Sequence, residues 1–242
     1  MVNDATALDF AGLCKRYGKT EALSSLTLKV QAGRTFGLVG ANGAGKTTLI
    51  KCMLDFCSFD EGKISIFGVA SSRTEARNCL AFLPERFVPP YYLTGKDFLR
   101  YMAGMYGRDF NLEACVSTIA SLDLEPDMLT KPVRSLSKGM TQKLGIASCL
   151  LSGRELYVLD EPASGLDPKA RALFKTAIKS ARSNGSTIFL TSHALADVDE
   201  ICDEMAILHQ GTVRFAGSPA ALKRQHGTDN LEKAYLDCIR DS

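Results

Sequence analysis

Hydrophobic residues follow two different periods along the chain, and the change of period divides it into three stretches. The first stretch contains short apolar runs, which are typical of strands. We predict strands at Leu8–Leu13, Ser25–Val30, Thr35–Val39, Lys63–Phe67 and Cys79–Leu83, and a helix over 46–55. From Thr94 to Ser152 the period becomes helical, which predicts helices at Gly95–Tyr106, Leu112–Leu122 and Lys138–Leu151.

The third stretch, after Glu155, alternates between strands and helices. The predicted order is strand Leu156–Leu159, helix Pro168–Asn184, strand Thr187–Thr191, helix Ala194–Cys202, a hairpin of Met205–His209 with Thr212–Ala216, and one or two short helices. Such alternation, with apolar strands, predicts a mostly parallel sheet covered by helices. The predicted fold is therefore α/β and a single domain: residues 1–88 and 155–242 form its α/β core, and residues 89–154 form an inserted helical subdomain.

Composition narrows the class of protein. The 242 residues are 45% hydrophobic, which is enough for a sizeable core. A net charge of only +2, without a compact basic run, argues against nucleic acid as a partner. No apolar stretch approaches the ~20 residues of a membrane span. The eight cysteines include no C-x-x-C pair, which argues against a zinc site or disulfide framework and favours a reducing cytosol.

A glycine-rich segment follows the predicted strand Thr35–Val39 and precedes a predicted helix. Its residues, Gly40-Ala41-Asn42-Gly43-Ala44-Gly45-Lys46-Thr47 followed by Thr48, fit the spacing G-x-x-x-x-G-K-[ST]. Glycines let successive backbone N–H groups turn inward around phosphates, while Lys46 brings a positive charge and Thr47 offers a hydroxyl to Mg²⁺. The segment predicts a nucleoside triphosphate site, because a merely flexible glycine loop rarely has this pattern.

Two carboxylates end the apolar strand Leu156–Leu159. In an open α/β sheet, ligands bind at the carboxyl ends of the strands. We predict that Asp160 holds Mg²⁺, directly or through water, opposite Thr47. Glu161 is placed to accept a proton from a water that attacks the γ-phosphate. The alternative interpretation is that these acids only terminate a strand. The phosphate-binding pattern upstream makes this alternative the weaker one.

Other segments resemble motifs of the ATP-binding-cassette (ABC) ATPases, in the order that this family has them. Leu136-Ser137-Lys138-Gly139-Met140 resembles the L-S-G-G-Q signature, and Ser164-Gly165-Leu166-Asp167 resembles the D-loop. His193 resembles the switch histidine, and Tyr17 falls where the family has the aromatic that stacks on adenine. The resemblance implies ATP as the nucleotide. It also implies a P-loop NTPase fold, with a RecA-like, mostly parallel sheet and an N-terminal antiparallel β subdomain.

The resemblance also implies a composite site. Ser137 and Gly139 of one chain would bind the γ-phosphate held by a second copy, so that two chains packed head to tail enclose two ATP molecules. His193 would bridge the γ-phosphate and the partner's D-loop region, which contains Asp167. A homodimer needs no further parts, and pairing with a different cassette stays open.

Two positions depart from the common motifs. Glu85 stands where the family usually has a glutamine, and Met140 replaces the last glutamine of the signature. Glu85 remains an oxygen donor for Mg²⁺ or the attacking water, with an added negative charge. Both variants resemble the branch of ABC ATPases that pairs with ABC-2 exporter-type membrane subunits.

The resemblance implies a membrane partner that contacts residues 86–98. We expect Phe87, Tyr91, Tyr92 and Phe98 to line the contact, although these aromatics could instead fill the core of the helical subdomain. The expected protein is the ATP-hydrolysing subunit of an exporter, cytoplasmic and peripheral on the inner face of the cell membrane. The alternatives are a soluble ABC ATPase that acts on nucleic acid or the ribosome, and an ATP-dependent switch without turnover, which Glu161 argues against.

Overall fold

Two sheets organise residues 5–240, which are the residues that the computed structural model describes. The smaller sheet is antiparallel and has the order β2-β1-β4-β5. Its strands are β1 (Thr6–Tyr17), β2 (Thr20–Gln31), β4 (Glu61–Ile66) and β5 (Val69–Ala70). The larger sheet has the order β10-β9-β3-β8-β7-β6. Its strands are β3 (Thr35–Val39), β6 (Leu80–Leu83), β7 (Leu156–Leu159), β8 (Thr187–Ser192), β9 (Glu204–His209) and β10 (Thr212–Gly217).

The larger sheet is parallel except for its edge strand β10, which pairs antiparallel with β9. Every residue of β3, β7 and β8 is buried. Strands covered on both faces have continuous apolar runs instead of alternation, which is how these three appear in the sequence. The predicted hairpin of β9 and β10 is present, and it turns at Gln210 and Gly211, both of which have positive φ. The mostly parallel α/β fold is therefore confirmed.

Eight α-helices cover the sheets within the described residues. They are α1 (Lys46–Met53), α2 (Gly95–Met105), α3 (Leu112–Ser121), α4 (Lys138–Ser152), α5 (Pro168–Ser183), α6 (Leu195–Ile201), α7 (Pro219–Gln225) and α8 (Leu231–Arg240). Six of them begin at a polar side chain that accepts a hydrogen bond from a backbone N–H of the first turn. These residues are Thr94, Asn111, Ser137, Asp167, Ser218 and Asn230. None of the helices in residues 5–240 is long and apolar enough to cross a membrane.

The hydrophobic core consists of three clusters. One lies between the antiparallel sheet, α1 and the larger sheet, and a small one joins β9 to α6, α7 and α8. The third contains Leu99, Ile119 and Leu144 of α2, α3 and α4 together with Leu83 and Leu159 of the larger sheet. Because helices and sheet share this cluster, the segment 89–154 is packed onto the α/β core, and its division from the core stays a prediction from the order of the elements.

Strands β1 and β2 are longer than predicted. Each has 12 residues, and their pairing shifts register at several points. Gly12 (φ 60°) and Ser25 (φ 45°) lie at these irregularities. A bulge lets a strand continue past a residue that breaks its alternation. Strand β1 therefore reaches Tyr17, which the sequence analysis placed beyond the strand.

Candidate nucleotide-binding site

A cavity of about 630 Å³ opens at the carboxyl ends of β3, β7 and β8. Most of the predicted site residues lie in its wall, although they come from four separate parts of the chain. The predicted residues that line it are Gly40, Asn42, Gly43, Gly45, Lys46, Thr47, Thr48, Glu85, Asp160, Glu161 and His193. Ala41 of the phosphate-binding segment and Ser164 of the D-loop-like segment line it as well, as does Ala22, which lies outside every predicted motif. The convergence at one edge of the sheet agrees with the rule for open α/β sheets.

The glycine-rich loop between β3 and α1 has a backbone that larger residues do not fit. Gly45 has φ 112°, and a Cβ there would lie 2.7 Å from the Ala22 carbonyl oxygen. A Cβ on Gly40 would lie 2.3 Å from the Leu208 carbonyl oxygen. These glycines hold the loop against neighbouring backbone, so that it is a shaped element and not a flexible one.

Helix α1 begins at the cavity without a side-chain cap, because Gly45 occupies its N-cap position. The first N–H groups of a helix have no intrahelical partner, and the helix dipole makes this end positive. The buried Lys46 adds an ammonium group, whose Nζ donates to the carbonyl oxygens of Gly40 (2.5 Å) and Ala41 (3.3 Å). An anion that enters the cavity therefore meets backbone donors and a positive charge, which is the arrangement that fits phosphate groups.

Asp160 lies on the floor of the cavity and is 3% exposed. Its Oδ1 accepts a hydrogen bond from the Thr191 hydroxyl at 2.6 Å. Burial raises the pKa of the Asp160 carboxyl, as do the nearby charges of Glu85 and Glu161, whereas the Thr191 hydrogen bond and Lys46 oppose the rise. The floor is therefore a concentration of negative charge that a cation would relieve.

Glu161 and His193 form a pair at the rim of the cavity. His193 Nδ1 lies 2.8 Å from Glu161 Oε2, and the backbone N–H of Glu161 donates to the Thr191 hydroxyl at 2.9 Å. Glu161 has φ 48°, a left-handed conformation that is uncommon outside glycine. Thr191 thus bonds both Asp160 and Glu161, and it fixes the turn that sends the two consecutive carboxylates to different parts of the cavity.

The residues fit Mg²⁺ only in combination with a bound phosphate. Thr47, Asp160 and Glu85 supply hard oxygen donors to one cavity, as this ion prefers. Within residues 5–240, no three His, Cys, Asp or Glu side chains are grouped closely enough to hold a metal ion by themselves. Mg²⁺ commonly uses one or two carboxylates together with substrate phosphates, so this donor set agrees with a metal that arrives with its nucleotide.

Five predicted residues do not line the cavity. Ala44 is buried beneath the loop, and Tyr17, at the end of β1, is 49% exposed. The pKa of the Tyr17 phenol is raised, chiefly by its hydrogen bond to Cys57 and by burial, and a hydrogen bond with Thr48 opposes the rise. Because Thr48 lines the cavity, Tyr17 stands next to it.

The other three, Ser137, Gly139 and Asp167, lie away from the cavity of their own chain. Ser137 accepts a hydrogen bond from the Met140 N–H (3.2 Å) at the start of α4, and Asp167 accepts one from the Ala170 N–H (2.8 Å) at the start of α5. A Cβ on Gly139 would lie 3.4 Å from the Gly165 carbonyl oxygen, so the signature-like and D-loop-like segments are neighbours. The structure brings these two segments together, and Ser164 at the start of the D-loop-like segment reaches the cavity, whereas Ser137, Gly139 and Asp167 do not.

One buried polar residue of α4 was missed by the sequence analysis. The Gln142 side chain donates to the Pro162 carbonyl oxygen at 3.1 Å. This bond connects α4 to the turn that follows Glu161. A buried amide in an otherwise apolar helix face was the available signal, because such groups are almost always hydrogen-bonded.

The aromatic residues of the segment 86–98 divide into two groups. Tyr91 and Tyr92 are exposed, at 68% and 70%. Phe98 is buried in the cluster that α2, α3 and α4 share with the larger sheet, and its ring packs edge-on against the partly buried Phe87, with 5.6 Å between the ring centres. The expectation that Phe98 lines an exposed contact is therefore wrong, because its position on α2 faces the core. Phe87 packs against the same cluster, and the exposed aromatic surface consists of Tyr91 and Tyr92.

Comparison with known proteins points to one family. A family model described as "ABC transporter" matches residues 23–164. An uncharacterized ABC transporter ATP-binding protein of Synechocystis is 38% identical over 205 residues, which are 84% of this chain and 58% of the relative. A Nod factor export ATP-binding protein I of Rhizobium etli is 33% identical over 88% of this chain and 69% of its own length. The chain spans 58% and 65% of the length of the first two relatives that it matches.

Solved structures give the same result. The ATP-binding subunit of an ABC transporter superposes with a TM-score of 0.86 at 31% identity, over 96% of this chain and 99% of that one. A bacterial Atm1-family ABC exporter with ATP bound superposes with a TM-score of 0.81 at 25% identity, over 98% of this chain and 42% of the exporter chain. The similarity therefore extends over nearly the whole of residues 1–242.

Proposed function

The chain belongs to the family of ABC transporter ATP-binding proteins, and from this premise we propose that it hydrolyses ATP as a head-to-tail dimer and drives export through a separate membrane subunit. One observation carries the catalytic part of the proposal. The phosphate loop, Asp160 and the Glu161–His193 pair line a single cavity. The groups proposed to bind phosphate and those proposed to activate water therefore line the same cavity.

In this proposal, phosphate binding uses the loop and the start of α1. Lys46 now donates to the carbonyl oxygens of Gly40 and Ala41. A phosphate oxygen is a stronger, charged acceptor, so the ammonium group would exchange one of these bonds for a bond to ATP. The uncapped N–H groups of α1 would bind the same phosphates.

Thr47, Asp160 and Glu85 are proposed to hold Mg²⁺. When bound, the ion neutralises charge on the phosphate oxygens, which are otherwise repelled by the carboxylates of the floor. Asp160 is oriented for this role by Thr191, which occupies its Oδ1. The Oδ2 atom then remains for the ion or for a water bound to it.

Hydrolysis is proposed to depend on Glu161 and His193. Glu161 accepts a proton from the attacking water or orients it, and its left-handed backbone, held by Thr191, keeps the carboxylate at the rim. His193 is 66% exposed along its side chain and contacts Glu161 through Nδ1. Its other ring nitrogen is then free of this contact and available to the γ-phosphate.

The second copy is proposed because the start of α4 does not reach its own chain's cavity. Ser137 and Lys138 are exposed, and Gly139 lies beside the D-loop-like segment. A helix N-terminus on the surface can bind the phosphate held by another chain. Two chains related by a twofold axis would each supply α4 to the partner, so that the same contact, made twice, completes both sites.

Export is supported by the names of relatives. The Rhizobium etli relative is named for Nod factor export, and a structural neighbour is an Atm1-family exporter. The proposed contact with the membrane subunit is the exposed surface of Val88, Tyr91 and Tyr92, which directly follows Glu85 in the cavity wall. Changes at the γ-phosphate could thereby be passed to the partner.

The decisive experiment uses Glu161→Gln. We expect the variant to bind ATP with unchanged affinity, to lose hydrolysis by on the order of 10²–10⁴-fold, and to form a stable dimer with ATP and Mg²⁺. Affinity purification of this variant from detergent-solubilised cells then identifies the partner. A polytopic membrane protein supports the transporter, whereas ribosomes or nucleic acid would favour the soluble alternative. Retained hydrolysis would contradict the role of Glu161.

The double substitution Tyr91→Ala and Tyr92→Ala tests the contact surface. We expect it to release the membrane subunit or abolish transport, while the ATPase activity of the isolated chain stays within about twofold, because neither ring lines the cavity. Phe56→Ala is the matched control, since Phe56 is also an exposed aromatic but lies in the turn after α1. A coupled, intact complex carrying both tyrosine substitutions would contradict the contact.

A further inference from the structure

Two thiols lie next to Tyr17, the residue expected to stack on adenine. Helix α1 ends at Met53, and the chain then turns back so that the Phe56 N–H donates to the Lys51 carbonyl oxygen at 2.8 Å. Asp55 makes this turn with φ 61°. As a result, Cys57 returns to the side of α1, and its Sγ lies 3.6 Å from Cys52 Sγ. The same helix begins with Lys46 and Thr47, so the thiol pair is at the other end of the phosphate-binding helix.

The pair is linked to Tyr17 by a hydrogen bond. The Tyr17 hydroxyl donates to Cys57 Sγ at 3.6 Å, and the Lys15 ammonium lies 4.9 Å from the centre of the Tyr17 ring. These contacts hold the half-exposed Tyr17 beside Thr48 of the cavity wall. The position of Cys57 therefore helps to set the position of the proposed adenine-stacking ring.

The two cysteines differ in accessibility. Cys52 is 1% exposed, and burial raises the pKa of its thiol to about 12, so it stays protonated and protected from solvent. Cys57 is only partly buried. A small oxidant from solvent would meet Cys57 first, and Cys52 would be the neighbouring thiol that resolves the product.

We propose that Cys52 and Cys57 form an oxidisable dithiol, which a peroxide converts to a disulfide that displaces Tyr17 and weakens ATP binding. The Cys57 thiolate attacks one peroxide oxygen, the O–O bond breaks, and one water leaves after protonation. Cys52 sulfur then attacks the sulfenic sulfur, the S–O bond breaks, the Cys52 proton leaves with the hydroxyl as a second water, and the S–S bond forms. Two thiols are oxidised and one peroxide is reduced. A dithiol reductant reverses the reaction.

The structural consequence follows from the distance. A disulfide requires the sulfurs at about 2.05 Å, so from 3.6 Å they must approach each other and Cys57 must move toward α1. This movement draws the acceptor away from the Tyr17 hydroxyl. The effect on ATP rests on the proposed function, whereas formation of the disulfide does not.

Mass spectrometry tests the first part. The purified chain is treated with hydrogen peroxide, free thiols are alkylated, and the peptide that contains both cysteines is measured. We expect it to be two hydrogens lighter and unalkylated at both positions, and to return to the reduced mass with dithiothreitol. Cys57→Ser must abolish the product and Cys79→Ser, a substitution of another partly buried thiol on the same core cluster, must not. If Cys57 were instead oxidised beyond the sulfenic acid, or remained free to be alkylated after peroxide treatment, the proposed disulfide would be contradicted.

Nucleotide binding tests the second part. We expect the oxidised chain to bind ATP about two- to tenfold more weakly than the reduced chain, as for the loss of one aromatic stack. By thermodynamic linkage, ATP must disfavour disulfide formation by the same factor. A disulfide with unchanged ATP affinity would overturn the coupling. If the reduced chain binds no ATP, the proposed function fails together with the coupling, and the mass measurement still decides the disulfide.

Discussion

Helices α1 and α4 begin with the same local arrangement but lie in opposite surroundings. Each starts with a lysine, Lys46 or Lys138, that follows a small residue at the N-cap. The start of α1 is uncapped, faces the cavity and is opposed by Asp160 within the same chain. The start of α4 is capped by Ser137, exposed, and outside the cavity. The start of α1 is thus part of a site within its own chain, whereas the start of α4 is exposed and available to another molecule.

The difference shows how a site can be divided between two copies. A helix N-terminus attracts an anion, and the side chains opposite to it decide which further groups bind and react there. Opposite the start of α1 lie Asp160, Glu161 and His193, which follow β7 and β8 of the same sheet, whereas the start of α4 lies beside the D-loop-like segment, with Gly139 next to Gly165. In the proposed dimer, the start of α4 binds the phosphate that α1 of the partner chain holds.

The two lysines give the largest expected contrast. Lys46→Ala should reduce ATP affinity and hydrolysis by about 100-fold or more, because a buried ammonium that contacts the phosphate loop is removed. Lys138→Ala removes an equivalent charge at the start of α4 and should leave ATP binding by the single chain unchanged. Isothermal titration with a non-hydrolysable ATP analogue measures both. Equal losses of affinity would mean that the two helix ends belong to the same site in one chain.

A smaller effect is expected at the two serine caps. Ser137→Ala and Ser218→Ala each remove a side-chain cap, from α4 and α7, and each should cost about 1 kcal/mol of unfolding free energy. Only Ser137→Ala should also reduce hydrolysis, by roughly 10- to 100-fold, since its hydroxyl would bond a charged phosphate across the dimer. Affinity for ATP in the single chain should not change.

Chemical denaturation and steady-state ATPase rates are the two measurements for this pair. The comparison separates a structural cap from a functional one, because Ser218 lies far along the chain in a helix without a proposed nucleotide contact. If Ser137→Ala and Ser218→Ala have the same ATPase rate, the start of α4 does not contact the phosphate, and the shared site would have to be abandoned.

Sequence was sufficient wherever a short segment determines its own structure. The phosphate loop is such a segment, since its glycines, the lysine and the following helix are contiguous. The strands β3, β7 and β8 can likewise be recognised in the sequence as uninterrupted apolar runs. The N-caps of α2 to α5 are likewise local. In these cases neighbouring residues contain the whole physical cause.

The parts that could not be predicted depend on contacts between distant residues. The Glu161–His193 pair joins residues 32 positions apart in the sequence, and the Gln142–Pro162 hydrogen bond joins residues 20 positions apart. No periodic pattern in the sequence predicts either contact. Phe98 and Tyr92 are both aromatic residues near the start of α2, and only the packing of that helix on the sheet buries the first and exposes the second. The approach of Cys57 to Cys52 depends on the left-handed turn at Asp55, for which an aspartate gives only a weak signal.

The smallest expected effect concerns the carboxylates beside the two helices. Burial raises the pKa of Asp160 below α1, whereas hydrogen bonding to Lys169 lowers the pKa of Asp123, which also pairs with Lys143 of α4. A raised pKa means that the folded chain holds the proton more tightly, so ionisation of Asp160 destabilises the fold as the pH rises. A lowered pKa has the opposite sign, and the stability that Asp123 contributes is lost as the pH falls.

Asn substitutions should therefore shift the melting temperature in opposite directions at neutral pH without nucleotide or metal. Asp160→Asn should raise it by on the order of a few degrees, because the buried charge is removed while the amide oxygen still accepts from Thr191. Asp123→Asn should lower it slightly, and asparagine tolerates the left-handed backbone of that position (φ 59°). Calorimetry down to acidic pH should show both differences shrinking as the wild-type carboxyls protonate. A lower melting temperature for Asp160→Asn would mean that the charge of Asp160 stabilises the folded chain and does not destabilise it.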